Sequence, residues 1–119
     1  MKATHLLRGE QVESAALAYL QSNGLTLVEK NYRCMYGEID LIMMDKHDLV
    51  FVEVRYRKND LFGGATQSID ANKQQKLRRT AETFMQKNHA LKFDGCRFDV
   101  VAVNGQSANY KIHWLSDAF

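Results

Sequence analysis

Acidic residues interrupt a strongly apolar stretch of the chain, residues 37–57, which has the sequence GEIDLIMMDKHDLVFVEVRYR. Its branched and aromatic side chains are typical of two β-strands separated by a short turn. Because side chains alternate between the two faces of a strand, Glu38 and Asp40 share one face, and Glu53 shares a face with Arg55. Carboxylates among so many apolar residues are costly to bury, so they indicate either close pairing with a cation or a functional site.

The register of the predicted hairpin decides whether these carboxylates meet. A turn centred on Lys46-His47 sets Asp40 opposite Glu53 and Glu38 opposite Arg55, so that all four side chains lie on one patch. The Cβ atoms of directly opposed residues are about 5 Å apart, and like charges at that distance repel each other. The pair therefore requires a cation, either a basic side chain or a divalent metal ion. For Asp40 and Glu53 together we favour a metal site over a solvated strand face.

Glu13 is a candidate third metal ligand. It lies at the edge of the helical stripe formed by Ala16 and Leu20, where a carboxylate is costly without a partner. Helical spacing alone favours an exposed flank of an amphipathic helix at least as strongly.

The predicted elements place these residues on one sheet and on the helix before it. Apolar residues at helical spacing predict a first helix over 8–23, and a Gly-rich loop precedes a second helix over 66–88. Alternating segments predict the strands, which are 25–33, the two halves of 37–57, 98–103 and 110–115. The order is α-β-β-β-α-β-β, which predicts a single α/β domain over 1–119 with a mixed central sheet flanked by helices.

Composition and charge limit the classes of protein available. The chain has 119 residues, of which 45% are hydrophobic and 25% are charged, as expected for one globular core. Its net charge is only +2, so total charge does not indicate a nucleic-acid binder. No apolar run is long enough for a signal peptide or a membrane span, and Cys34 and Cys96 lack the spacing of a zinc site. We therefore expect a soluble, cytoplasmic protein without a membrane partner.

Basic residues lie on both sides of the predicted carboxylate patch. On the second helix, Lys73, Lys76 and Arg79 recur every three residues and form a ridge beside the apolar stripe. A solvated helix face explains any one of them, whereas as a group they suit contacts with a phosphate backbone. Gln67, near the helix start, is a further candidate for a hydrogen bond to phosphate. The candidate nucleic-acid-binding residues are Arg33, Arg57, Lys58, Lys73, Lys76 and Arg79.

The order of these motifs resembles a known bacterial family. A first helix with an acidic residue, then GEIDLI, FVEVRYR, a lysine-bearing helix and FDVVAV, is similar to the YraN or UPF0102 family over nearly the whole chain. That family resembles the restriction-endonuclease-like PD-(D/E)XK superfamily, and in particular archaeal Holliday junction resolvases. The resemblance implies a restriction-endonuclease-like core and a Mg²⁺- or Mn²⁺-dependent nuclease that acts on DNA, including branched or junction DNA.

The resemblance also implies roles for individual residues. Asp40 would be the metal-binding aspartate and Glu53 the second acidic ligand, with Glu13 as a further ligand. Arg55 is the third implied catalytic residue and stands where the superfamily most often has lysine. An arginine cannot act as a base, although its planar guanidinium can donate hydrogen bonds to a phosphate oxygen. Glu38 would orient Arg55 or add an outer contact.

Arg55 keeps a second hypothesis open, namely a non-catalytic nucleic-acid-binding module with the same fold. A third is a protein-interaction domain whose acidic patch is merely surface. RNA also remains an alternative ligand to DNA. Cutting two strands with one site per chain would require two copies, and the resemblance to resolvases implies a homodimer.

Overall fold

The structure, a computed structural model, describes residues 2–57, 69–106 and 109–119, with side chains from residue 9 onward. Its elements follow the predicted α-β-β-β-α-β-β order. They are α1 (Lys2–Ser22), β1 (Thr26–Cys34), β2 (Gly37–Asp45), β3 (Asp48–Arg57), α2 (Ala71–Lys87), β4 (Gly95–Asn104) and β5 (Lys111–Leu115). Helix α1 begins earlier than the predicted residue 8, and α2 begins later than the predicted residue 66.

The late start of α2 has a local cause. Asp70 has extended backbone angles, and its side chain accepts a hydrogen bond of 2.8 Å from the backbone N–H of Lys73. Such a cap satisfies one of the amide groups that the first turn of a helix leaves without a partner. The cap therefore fixes Lys73 in the first turn of α2.

The five strands form one mixed sheet in the order β1-β2-β3-β4-β5. Strands β3 and β4 are parallel, while the other neighbouring pairs are antiparallel. A parallel pair needs a crossover connection, and α2 lies in the connection between β3 and β4. The prediction of a mixed sheet flanked by helices is confirmed.

The helices cover opposite faces of this sheet. Apolar residues of α1, including Ala16 and Leu20, pack with Val52 of β3 on one face. On the other face, Leu77 and Phe84 of α2 pack in a second core cluster. Both layers are fully or almost fully buried, so the positions of the two helices relative to the strands are set by apolar packing. Within the described part of the chain, no helix is long and apolar enough to cross a membrane.

The β2–β3 hairpin has the register that the sequence predicts. Asp45 lies opposite Asp48, and the pairing runs back to Leu41 opposite Val52. The intervening turn is Lys46-His47, in which Lys46 adopts a left-handed backbone conformation with φ 57°. This register brings Asp40 and Glu53 to the next pair of positions along the hairpin.

Strand β2 departs from simple alternation at Asp40. Ile39 and Ile42 both pack on the α2 side of the sheet, whereas Leu41 packs on the α1 side. In the neighbouring strand, Asn31 lies across from Asp40 and has a left-handed backbone conformation with φ 54°. We attribute the break to this local change of backbone, which the predicted two-residue alternation did not anticipate.

A buried polar cluster that reaches the turn end of the β2–β3 hairpin at Asp45 has a structural role. Asp99 of β4 is fully buried and accepts hydrogen bonds from Arg97 Nε at 3.0 Å, Trp114 Nε1 at 2.8 Å and the backbone N–H of Asp117 at 2.9 Å. Arg97 also donates to Asp45 at 2.9 Å. These hydrogen bonds join Trp114 and Asp117 to β4, so the role of Asp99 is structural.

Candidate functional site

Asp40 is held by a hydrogen bond to the neighbouring strand. Its Oδ2 accepts from the backbone N–H of Val54 at 2.8 Å, beyond the point where regular β2–β3 pairing ends at Leu41 and Val52. The carboxylate thus takes the place of a backbone acceptor. As a result, the side chain is fixed against β3 and next to Glu53.

The carboxyl groups of Asp40 and Glu53 contact each other. Burial, the charge of Glu53, a hydrogen bond shared with Glu53 and the charge of Glu13 raise the pKa of Asp40 to about 8, against the opposing effect of the Val54 N–H. The Asp40 carboxyl group is therefore costly to ionise in this largely buried position beside Glu53. Without a bound cation, Asp40 therefore keeps a proton at neutral pH.

Lys73 supplies a positive charge at this pair. Its Nζ lies 3.2 Å from Oε2 of Glu53, whose side chain is only 13% exposed. Lys73 precedes the buried Leu77 by one helical turn, so it extends the inward-facing stripe of α2 towards the carboxylates. The basic ridge predicted on this helix is therefore divided, because Lys73 faces the carboxylate pair.

Glu13 approaches the pair from α1 but contacts another residue. Its Oε1 accepts a hydrogen bond from Asn31 Nδ2 at 3.0 Å, while its charge still raises the pKa of Asp40. No group of three or more Asp, Glu, His or Cys side chains suited to hold a metal converges within the described ranges. The predicted three-carboxylate ligand set is therefore not assembled, and Asp40 and Glu53 are the two carboxylates that meet.

Glu38 forms an ion pair with the neighbouring strand β1. It lies opposite Arg33, and Arg33 Nε is 2.8 Å from Glu38 Oε2 in a largely exposed ion pair. Regular pairing of β2 with β3 ends at Leu41 and Val52, so the position of Glu38 opposite Arg55 stays a prediction. Because this pair is exposed to solvent, its contribution to stability is small.

The remaining predicted residues that the structure describes lie on β3 and α2. Arg55 is half-buried on the face of β3 that also carries Glu53, and Arg57 is exposed at the end of the strand. Lys76 and Arg79 are exposed on α2. Lys58 and Gln67 lie outside the described residues.

Sequence reasoning missed two exposed side chains in the turn between β1 and β2. Met35 and Tyr36 are 89% and 41% exposed, and the guanidinium of Arg79 lies over the Tyr36 ring at 5.7 Å from its centroid. The adjacent Met-Tyr pair directly before Gly37 was the available signal, because large apolar residues are unusual at the tip of a tight turn.

Fold and site together define a class: an α/β domain whose mixed five-stranded sheet presents a carboxyl pair and a lysine beside exposed basic residues. The model of the family described as "Uncharacterised protein family UPF0102" matches residues 12–103. The chain belongs to this family, which confirms the membership predicted from its motifs.

Relatives from several bacteria match nearly the whole chain. A "UPF0102 protein" of Nitrosococcus oceani is 47% identical over 98% of this chain and 94% of its own length. A UPF0102 protein of Nitrosomonas europaea is 50% identical over 94% of this chain and 92% of its own length. A third, from Shewanella loihica, is 46% identical over 98% of this chain and 97% of its own. The similarity thus includes α1, the hairpin and α2, which together position the site.

Proposed function

We propose that this protein is a cytoplasmic, divalent-metal-dependent nuclease that hydrolyses phosphodiester bonds in DNA. The observation that supports the proposal most strongly is the contact between the carboxyl groups of Asp40 and Glu53. Two adjacent carboxyl groups in a partly buried position are destabilising for the fold on their own. Strongly perturbed acidic groups of this kind cluster at functional sites.

The residues present fit Mg²⁺ or Mn²⁺. Asp40 and Glu53 offer hard oxygen donors, and Mg²⁺ commonly uses one or two carboxylates while keeping several waters. A bound cation would replace the proton at Asp40 and remove the repulsion between the two groups. Among the described residues two carboxyl groups converge, and substrate oxygens and water can complete the coordination.

When bound, the metal would supply an activated water and neutralise charge that develops on the phosphate. Asp40 and Glu53 would hold it, and the Val54 N–H keeps the Asp40 carboxylate in a fixed orientation. Lys73 places its ammonium group at the edge of the pair, where it can also attract a phosphate oxygen. Arg55, on the same face of β3, stays protonated and serves as a hydrogen-bond donor to phosphate.

Exposed basic residues beside the pair support a nucleic-acid substrate. Arg33, Lys76 and Arg79 lie on β1 and α2, the elements that flank the carboxyl pair. Contacts from such residues to phosphates give affinity without sequence information. We therefore propose binding that weakens steeply with salt and depends little on base sequence.

A non-catalytic nucleic-acid-binding module is the second candidate. The Lys73–Glu53 ion pair favours it, because an ammonium group at this position can replace a metal as the neutralising cation. In that case Asp40 would remain protonated at neutral pH and the basic residues alone would bind the phosphate backbone. Metal-dependent cleavage separates the two candidates.

The test is cleavage of labelled single-stranded, duplex, flap and four-way-junction DNA with Mg²⁺, Mn²⁺ or EDTA. Wild type is compared with Asp40→Asn and with Asp94→Asn, which removes an exposed carboxylate from the loop before β4. We expect metal-dependent cutting by wild type and Asp94→Asn, and none by Asp40→Asn. Binding without cutting on every substrate would favour the non-catalytic module, and equal cutting by Asp40→Asn would contradict the assigned site.

A further inference from the structure

The turn between β1 and β2 exposes two large side chains in a fixed position. Met35 is 89% exposed and Tyr36 is 41% exposed. The Tyr36 N–H donates to Cys34 Sγ at 3.4 Å, so the turn has its own internal hydrogen bond. A rigid turn that presents a thioether and an aromatic ring to solvent suits contact with another molecule.

The turn is also seated against α2. A Cβ atom added at Gly37, which has φ 153°, would come within 3.3 Å of the hydroxyl oxygen of the buried Thr80. The positive φ and this close approach both favour glycine at the end of the turn. The turn therefore packs closely against α2, while Met35 and Tyr36 remain exposed.

A groove of about 320 Å³ lies between this turn and α2. Two of its side chains are cationic, two are amides, two are the exposed turn residues, and none is acidic. They are Met35, Tyr36, Asn72, Gln75, Lys76 and Arg79. The arrangement combines a flat aromatic surface with hydrogen-bonding groups and positive charge, which is complementary to a base attached to a phosphate backbone.

The groove lies close to the carboxyl pair. Gly37 precedes Asp40 by three residues on β2, which corresponds to roughly 10 Å at about 3.3 Å per residue. On α2, Lys76 follows Lys73 by less than one turn, so the same helix borders both the carboxyl pair and the groove. A nucleic-acid strand whose phosphate lies at the carboxyl pair would thus carry its neighbouring nucleotides past the groove.

We propose that the groove at the Met35–Tyr36 turn binds an unpaired base of single-stranded or branched nucleic acid. The base stacks on Met35 and on the face of the Tyr36 ring opposite Arg79, whose guanidinium lies 5.7 Å from the ring centroid, while Lys76 contacts the adjoining phosphate. In a continuous duplex both faces of each base are covered by neighbouring bases, so only an unpaired or splayed nucleotide can use this surface. The placement of the phosphate rests on the proposed function, whereas base binding in the groove is measured without cleavage.

The test measures binding by fluorescence anisotropy in EDTA, so that no cleavage occurs. A forked DNA and a fully paired duplex of the same length are titrated with wild type, Met35→Ala, Tyr36→Ala and Tyr36→Phe. Leu27→Ala is the matched control, because Leu27 is 37% exposed at the end of β1 that lies away from the turn. A 2-aminopurine at the unpaired position reports stacking directly.

We expect Tyr36→Ala and Met35→Ala to weaken binding of the forked DNA about ten-fold, in line with the loss of one stacked base. Binding of the duplex should change less than about two-fold, because phosphate contacts remain. Tyr36→Phe, which keeps the ring, and Leu27→Ala should both bind as wild type does. The 2-aminopurine fluorescence should fall on binding to wild type and stay unchanged with Tyr36→Ala.

Three results would overturn the inference. One is an equal affinity of wild type and Tyr36→Ala for the forked DNA, and another is an equal loss on forked and paired DNA. Absence of nucleic-acid binding in wild type would also overturn it, and a protein would then be the alternative ligand for the exposed turn. Turn-dependent binding of the forked DNA without cleavage would support the inference while contradicting the nuclease proposal, so the two can fail separately.

Discussion

Replacing Asp40 with asparagine should stabilise the metal-free protein, with a gain that grows as pH rises. Asparagine keeps a side-chain oxygen that can accept the Val54 N–H, but it cannot ionise beside Glu53. In wild type the pKa of Asp40 is raised from 3.8 to about 8, chiefly by burial and next by the charge of Glu53. Between these two values the folded protein binds more protons than the unfolded chain, so its stability falls as pH increases.

The size of the effect has an upper bound. One pKa unit corresponds to about 1.36 kcal/mol, so a rise from 3.8 to about 8 could cost at most about 6 kcal/mol above pH 8. Asp40 interacts closely with Glu53, and Lys73 lies beside Glu53, which reduces the measurable part of this cost. We expect Asp40→Asn to gain about 1–3 kcal/mol in free energy of unfolding at pH 8 and close to zero at pH 4.

The measurement is urea unfolding followed by circular dichroism in EDTA from pH 4 to pH 9. Asp94→Asn serves as the control, since it removes a negative charge from an exposed loop position. Addition of Mg²⁺ should reverse the order of stability by stabilising wild type and leaving Asp40→Asn unchanged. If wild type and Asp40→Asn kept the same difference in unfolding free energy across this pH range, the raised pKa and the contact behind it would be refuted.

Four further substitutions test other parts of the site and of the fold. Lys73→Met should lower the cleavage rate by about 10²-fold or more while the circular dichroism spectrum stays unchanged, because it removes a charge at the carboxyl pair; Lys76→Met should mainly weaken DNA binding. Equal rates for these two variants would contradict the role of Lys73. Arg55→Lys keeps the positive charge and should retain cleavage within about ten-fold, whereas loss comparable with Lys73→Met would show that the planar guanidinium is required. Asp99→Ala should lose about 3–5 kcal/mol in urea unfolding, because Arg97 and the Trp114 N–H would lose a buried partner; a loss below about 1 kcal/mol would be inconsistent with a structural role.

The sequence was most informative where local chemistry sets geometry. The turn at Lys46-His47 fixes the hairpin register, and that register brings Asp40 and Glu53 to neighbouring positions of β2 and β3. Periodic apolar residues likewise predicted the element order, because each element had to bury one face against the same sheet. The predicted boundaries of the helices were less accurate, since the start of α2 depends on the single cap at Asp70.

Other features of the site depend on contacts between distant segments. The pairing of Lys73 with Glu53 requires the crossover that packs α2 on the sheet, and spacing within α2 gave only a ridge of basic residues. Glu38 forms an ion pair with Arg33, which lies opposite it in the β1–β2 register. The change of face at Asp40 accompanies a left-handed residue in the neighbouring strand, which strand periodicity does not encode.

The central claim is that Asp40 and Glu53 form a divalent-metal site, and calorimetric titration with Mn²⁺ at pH 7 tests it most directly. Titrations in two buffers with different ionisation enthalpies also count the protons released. Since Asp40 carries a proton without metal, we predict saturable binding to wild type with release of about one proton, and no binding to Asp40→Asn. Absence of binding to wild type, or equal binding by Asp40→Asn, would contradict the claim.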